Sequence, residues 1–256
     1  MALVERVLRD GVLQLTLSDP ARRNPISPDM REELIAALEA AASDLAVRVI
    51  IFVGAGGAFS SGGDLSAMPP ESKDTSDERM HRLQLLVRLV AGSGKPTVAA
   101  VEGPAAGVSA GLAAACDFVV MAAGANFLFP FTRLGLVPDG GVIASLSHRI
   151  GRSAARRVLL LGDPVGTDKA LDLGLADKVT VKGSALDRAL ELAGELAGRA
   201  PLSMAAIKSA FAAGPVELDG VLEAELTGQR ELYFSRDFAE GRAAFFERRE
   251  PKFTGE

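Results

Sequence analysis

The sequence predicts an α/β layered protein with a helical C-terminal region, and three observations predict it. Strand-like and helix-like patterns alternate through about the first 200 of the 256 residues. Two of the strands run into glycine-rich turns, and almost everything after Gly151 repeats apolar residues at helical spacing. Alternation of this kind requires crossover connections, which layer helices against a sheet. The expected division is an α/β core over residues 1–200 and a helical piece over 201–256.

Each element follows from local chemistry. "ERVLRD" and "VLQLTL" flank Asp10-Gly11, the signature of a β-hairpin with a tight turn. Ser27 is placed to cap a helix "PDMREELIAALEAAAS" with Pro28 at its first position. "VRVIIFVGAG" reads as a buried strand from its β-branched run, and so does "KPTVAAVEG". Between them, residues 76–91 carry a helical apolar repeat, preceded by "MPPESKDTSDE", which reads as a mobile surface loop. Later helices are expected in "RSAARRVLLLG", "DKALDLG", "SALDRALELAGELAGRA", "PLSMAAIKSAFAAG" and "VLEAELTGQRELYFSRDFAEGRAAFFERR".

Composition narrows the function classes. With 48% hydrophobic and 24% charged residues the chain is an ordinary globular one, and a net charge of −5 gives no general attraction for nucleic acid or an anionic membrane. A single cysteine, Cys116, forms no intrachain disulfide, so a reducing cytoplasm is the simplest expected home. The N-terminus lacks signal-peptide features, and no apolar run is long enough for a membrane span. His81 and His148 stand alone in helical patterns, and no metal site is expected.

The two turns, "VIIFVGAGGAFSSGGDLSAM" and "PTVAAVEGPAAGVSAGLAAACD", are the informative feature. Each runs from a strand through small residues toward a helix start, where the first backbone N–H groups lack partners. Side by side, they would aim two amides at one oxygen. Neither carries a dinucleotide or P-loop fingerprint. "GVSAG" at 107–111 does match a nucleophile elbow, with Asp139 and His148 following in hydrolase order, so a serine hydrolase using Ser109 stays an alternative. Four residues, Gly103 to Ala106, separate strand and motif, which counts against it.

"AFSSGGDLSAM", "VEGPAAGVSAGLAAACDFVVMAAGANF", "RLGLVPDGG" and the C-terminal "FAEGRAAFFERREPKFTGE" together resemble the enoyl-CoA hydratase/isomerase (crotonase) superfamily, and "LSDPARRNPIS" is similar to that family's opening. The resemblance covers essentially the whole chain. It implies a crotonase-like spiral of ββα units, a homotrimer or dimer of trimers formed through the helical C-terminal region, and acyl-CoA thioesters as substrates. Coenzyme A is then part of the substrate, and no further cofactor is implied. The oxyanion-hole amides fall on Gly63 and Val108. Resemblance also implies that Arg22 or Arg23 lies near the CoA phosphates, with Phe245 and Arg248 reaching a neighbouring subunit's CoA. Ser61, Leu65 and Asp64 are further candidate CoA contacts, Asp64 reading first as a cap. Phe131 and Leu136 are candidates for an acyl pocket, although Phe127, Phe129 and Phe131 at alternate positions read first as one face of a core strand.

One departure decides the expected chemistry. The two glutamates that hydratases of this family use fall on Gly111 and Phe131, neither of which moves a proton. Asp139, in "PDGG", is the acid left nearby, and its place resembles that of a functional aspartate in some double-bond isomerases and in a ring-epoxide isomerase. Either it caps the following helix, or it is a general base desolvated among Leu136, Val137 and the acyl chain. The expected activity is enoyl-CoA double-bond isomerisation. Hydration with a non-standard acid/base and acyl-CoA binding without catalysis remain alternatives. Aryl dehalogenation, which in the compared relatives also needs a tryptophan, finds none here.

Overall fold

The computed structural model describes residues 2–68, 72–212 and 218–256. Strands β1 (Val4–Arg9) and β2 (Val12–Leu17) form the expected antiparallel hairpin. Asp10 and Gly11 both take positive φ, 49° and 79°, which is the primed-turn geometry that matches strand twist. Helix α1 (Pro28–Ser43) begins as expected, with Ser27 Oγ accepting from the Met30 N–H at 3.2 Å.

From there the chain winds as a spiral. After β3 (Val49–Gly54) comes α2 (Lys73–Ala91); β4 (Thr97–Val101) and β5 (Pro104–Ala106) lead to α3 (Val108–Ala115). β6 (Phe118–Ala122) and β7 (Asn126–Leu128) lead to α4 (Val142–Leu161), kinked where Gly151 leaves helical geometry. β8 (Val165–Gly166), α5 (Thr167–Leu173), β9 (Lys178–Thr180) and α6 (Ala185–Ala197) complete the core. One sheet has the order β1-β2-β3-β4-β6-β9 and a smaller one β5-β7-β8. Two turns of the spiral, β4-β5-α3 and β6-β7-α4, each donate one strand to each sheet before their helix, the ββα unit that the resemblance implies.

The central strands β3, β4 and β6 of the large sheet are buried on both faces, which explains why they read as continuous apolar runs. Ile50, Phe52, Ala99, Val101, Val119 and Met121 face the main core with α1 to α4. Val49, Ile51, Val53, Val98 and Val120 pack instead on Ala185, Ala189 and Ala193 of α6.

Beyond the core, α7 (Pro201–Ala212), α8 (Leu218–Leu232) and α9 (Arg236–Glu247) form the helical C-terminal region. Segment 221–249 is divided, because Ser235 Oγ caps α9 by accepting from the Phe238 N–H at 3.0 Å. A second correction concerns the expected loop at 68–78. Residues 69–71 lie outside the described residues, but Lys73 onward is helix, started by a capping box between Ser72 and Thr75. The S-x-x-T spacing was the available signal, outweighed by the prolines and charges around it. Among the described residues, no helix is long and apolar enough to cross a membrane.

Candidate active site

The two glycine-rich turns lie side by side because they are neighbouring strands of the smaller layer. Ser60 and Ala105 form a parallel bridge, with the Ser60 N–H donating to Pro104 O and the Ala106 N–H to Ser60 O, both at 3.1 Å. Three residues beyond that bridge on each strand stand Gly63 and Val108. Neither amide donates to a protein acceptor among the described residues. Val108 is the first residue of α3, so helix geometry leaves its N–H unpaired, and Gly107 before it has φ 52° and ψ −122°, a conformation open to glycine. The first turn differs from expectation in ending on a short 3-10 turn at Leu65–Ala67, capped by Asp64, rather than on an α-helix.

Two buried polar side chains set this geometry; the sequence pointed to no role for Asn24 and offered Ser109 as a nucleophile. Asn24, fully buried at φ 55°, donates through Nδ2 to Ala55 O at 2.8 Å and Ala58 O at 2.9 Å. It thereby anchors the loop whose Arg23 carbonyl accepts the Ser61 N–H at 2.8 Å. Ser109 sits under both turns, its hydroxyl accepting from the Ala106 N–H at 3.0 Å and facing Ser60 O at 3.1 Å and Ala106 O at 2.8 Å. The serine-hydrolase reading is overturned on that ground. A fully buried hydroxyl engaged by backbone groups cannot reach substrate, and His148 lies exposed on α4.

One cleft collects seven of the residues singled out above. Gly63 and Val108 line it together with Ser61 and Leu65, and Phe131, Leu136 and Asp139 close the far side. Arg31 and Arg79 also line it and were not expected, since lone arginines in helical patterns carry no local signal. Arg22, Arg23, Asp64, Phe245 and Arg248 lie off this lining. Arg22 is paired with Asp19 at 2.6 Å and Asp64 at 3.0 Å, while Phe245 is exposed on α9. Hydrogen bonds from Ser66, with Arg22 adding to them, hold the Asp64 carboxyl below its ordinary range.

Asp139 does not cap α4. Gly140 and Gly141, at φ 60° and 69°, carry the chain into the helix, whose N-cap Gly141 has no side-chain bond; only the Asp139 carbonyl serves, accepting from the Val142 N–H at 3.1 Å. The carboxylate is left facing the cleft. Burial raises its pKa above the ordinary aspartate value, with Arg79 pulling the other way. Val137 has no part in that desolvation, being 74% exposed and off the lining, so Phe131, Leu136 and Val108 supply the apolar wall.

The absence of an acid at position 111 is matched by packing. A Cβ added at Gly111 would stand 2.6 Å from Gly140 O and 2.6 Å from Val142 Cγ2. The turn that presents Asp139 therefore occupies the space a side chain at 111 would need. We expect Gly111→Glu to lower stability by about 1–3 kcal/mol through overpacking, outweighing alanine-over-glycine gains in helix propensity. A urea titration checks this, and an unchanged midpoint would show that the turn yields freely.

Comparison with known proteins agrees with this architecture. A family model described as enoyl-CoA hydratase/isomerase matches residues 8–256. The chain belongs to that family. Among enoyl-CoA hydratase/isomerase relatives, it is 35% identical to the 2,3-dehydroadipyl-CoA hydratase of Escherichia coli K12 over 248 residues, covering 95% of each chain. It is 34% identical to the 1,2-epoxyphenylacetyl-CoA isomerase of the same strain over 252 residues, covering 96% of this chain and 95% of the other. The crystal structure of an enoyl-CoA hydratase from Polaromonas sp. JS666 aligns with a TM-score of 0.92 at 35% identity, over 98% of this chain and 99% of the other. Family relatives thus include both hydratases and an isomerase, and the cleft's own residues must separate the two.

Proposed function

We propose that this member of the family is an enoyl-CoA double-bond isomerase with Asp139 as its proton carrier. A single observation carries the reading: among the described residues Asp139 is the one carboxylate lining a cleft that also holds two unpaired amides. Positions 111 and 131, where a hydratase of this family has glutamates, hold glycine and a buried phenylalanine.

The chemistry asks for no second acid. Asp139 takes a proton from C2 of a 3-enoyl thioester, and charge moves onto the thioester oxygen, where the Gly63 and Val108 amides stabilise the dienolate. The same carboxyl returns the proton at C4, leaving the 2-enoyl thioester and a restored carboxylate. Hydration would require a water to be positioned and split between two groups. A carboxyl with a raised pKa suits both halves of the shuttle, since it must accept and release one proton near the operating pH.

The remaining assignments belong to the same proposal. Ser61 and Leu65 at the cleft, with Arg22, Arg23 and Asp64 beside its mouth, serve the CoA moiety, and Phe131 and Leu136 the acyl group. Residues 201–256 serve trimer formation, which would bring Phe245 and Arg248 to a neighbour's CoA. Exposed Phe211, Phe234, Phe245 and Phe246 support this, because apolar rings at 72–89% exposure favour burial against another chain.

The test offers a 3-enoyl-CoA and a 2-enoyl-CoA separately and follows mass and absorbance. Conversion of the first without mass gain is expected. Gain of one water by the second would make the protein a hydratase, and binding of both without turnover would make it an acyl-CoA-binding member.

A further inference from the structure

We propose that Arg79 is a positioning residue for Asp139, its guanidinium supplying the positive charge that faces the carboxylate across the cleft. The inference rests on Asp139 being the base and names the group that sets its working state. Arg79 lies in the second turn of α2, with Nη1 donating to Ala67 O at 3.1 Å. Its Nη2 is 3.9 Å from where a Cβ on Gly63 would stand, and Val108 Cγ1 is 4.0 Å from that same point. On the other flank, a Cβ on Gly140 would touch Val108 Cγ2 at 2.5 Å. Met68 Cε stands 3.3 Å from that same Gly63 point, and Arg79, Gly63, Val108 and Asp139 all line one cleft.

The other charges near the cleft are engaged elsewhere or turned away. Arg31 Nε reaches Glu32 at 3.1 Å, a carboxylate it shares with Arg82, and its Nη1 donates to Arg79 O at 3.4 Å, while Arg22 is bound to Asp19 and Asp64. α3 carries no charged residue from Val108 to Ala115, and Arg133, on the 3-10 turn that includes Phe131, is exposed. Among the described residues Arg79 has no carboxylate within ion-pair distance, and Asp139 is the one carboxylate that lines the cleft with it. Burial favours the neutral carboxyl, and a nearby cation favours the carboxylate. Arginine suits that role because it stays protonated at every working pH.

The test replaces Arg79 with glutamine, which loses the charge but keeps a donor for Ala67 O, and with lysine, which restores the charge. Carbon-13 aspartate labelling of the full chain, with Asp139→Asn to assign the resonance, reads the Asp139 titration directly. The expected result is a midpoint moved to higher pH in Arg79→Gln and returned toward wild type in Arg79→Lys. If the enzyme isomerises 3-enoyl-CoA, its turnover should fall about ten-fold or more at the acid end while the alkaline plateau changes less. Should the glutamine variant not fold, Arg79→Met gives the same comparison. An Asp139 titration unmoved by either neutral substitution overturns the proposal, whatever the enzyme turns over. A shifted titration with no isomerisation of any enoyl thioester would instead overturn the reading of Asp139 as base and leave the charge pairing standing.

Discussion

Asp139→Asn should abolish isomerisation, lowering turnover by about 10²–10⁴-fold, the range for losing one positioned acid/base group. Asparagine keeps the shape and removes only the ability to carry the proton. No helix cap is lost with it, because the carboxylate does not cap α4. The sign of the stability change is a separate check. The folded-state pKa of Asp139 lies above its unfolded value, so its contribution favours the fold below the unfolded pKa and is lost as pH rises through the folded one. At neutral pH the asparagine variant should therefore melt no lower than wild type. Wild-type kcat/KM should fall on the acid side, with a limb above the usual aspartate range. Retained turnover in the variant, measured with 3-enoyl-CoA, would remove Asp139 from the mechanism.

Val108→Pro should cost about 10²–10³-fold in kcat, the range for removing one oxyanion donor. Proline is the substitution to choose because Val108 is the first residue of α3, where a missing N–H breaks no helical bond and the proline φ is already suitable. Gly107 before it, unlike a residue with a side chain, tolerates the conformation that precedes proline. A stable, folded protein with a collapsed kcat and little change in KM would mark the Val108 amide as acting on the transition state. A loss confined to KM would mean that this amide binds substrate and transition state alike.

Helix starts and strand runs were legible because their signals are local. The Asp10-Gly11 turn and the Ser27-Pro28 cap act on their own backbone, and the two-sided burial of the large sheet leaves an unmistakable apolar run in β3 and β4. Where two local signals competed, the weaker-looking one won: the Ser72–Thr75 box starts α2 inside a stretch that its prolines and charges mark as loop.

The candidate site divides along the same line. Gly63, Val108 and Asp139 could be named from turn chemistry and a family resemblance. Asn24 and Arg79 could not, and the catalytic role open to Ser109 was the wrong one, since each acts on residues distant in the chain: Asn24 on Ala55 and Ala58, Ser109 on Ser60, Arg79 on Ala67.

By itself, then, the sequence determined the order of elements, the family, and the placement of a glycine at 111 and a phenylalanine at 131, all of which are properties of residue type and spacing. Only the tertiary structure decided that the Asp139 carboxylate does not cap α4 and lines the cleft instead. Capping and catalysis demand the same residue in the same turn, and the absence of the cap rests on two glycine dihedrals. The cleft walls come from α2, α3 and the Phe131 turn, brought together by packing over distances that no local pattern encodes.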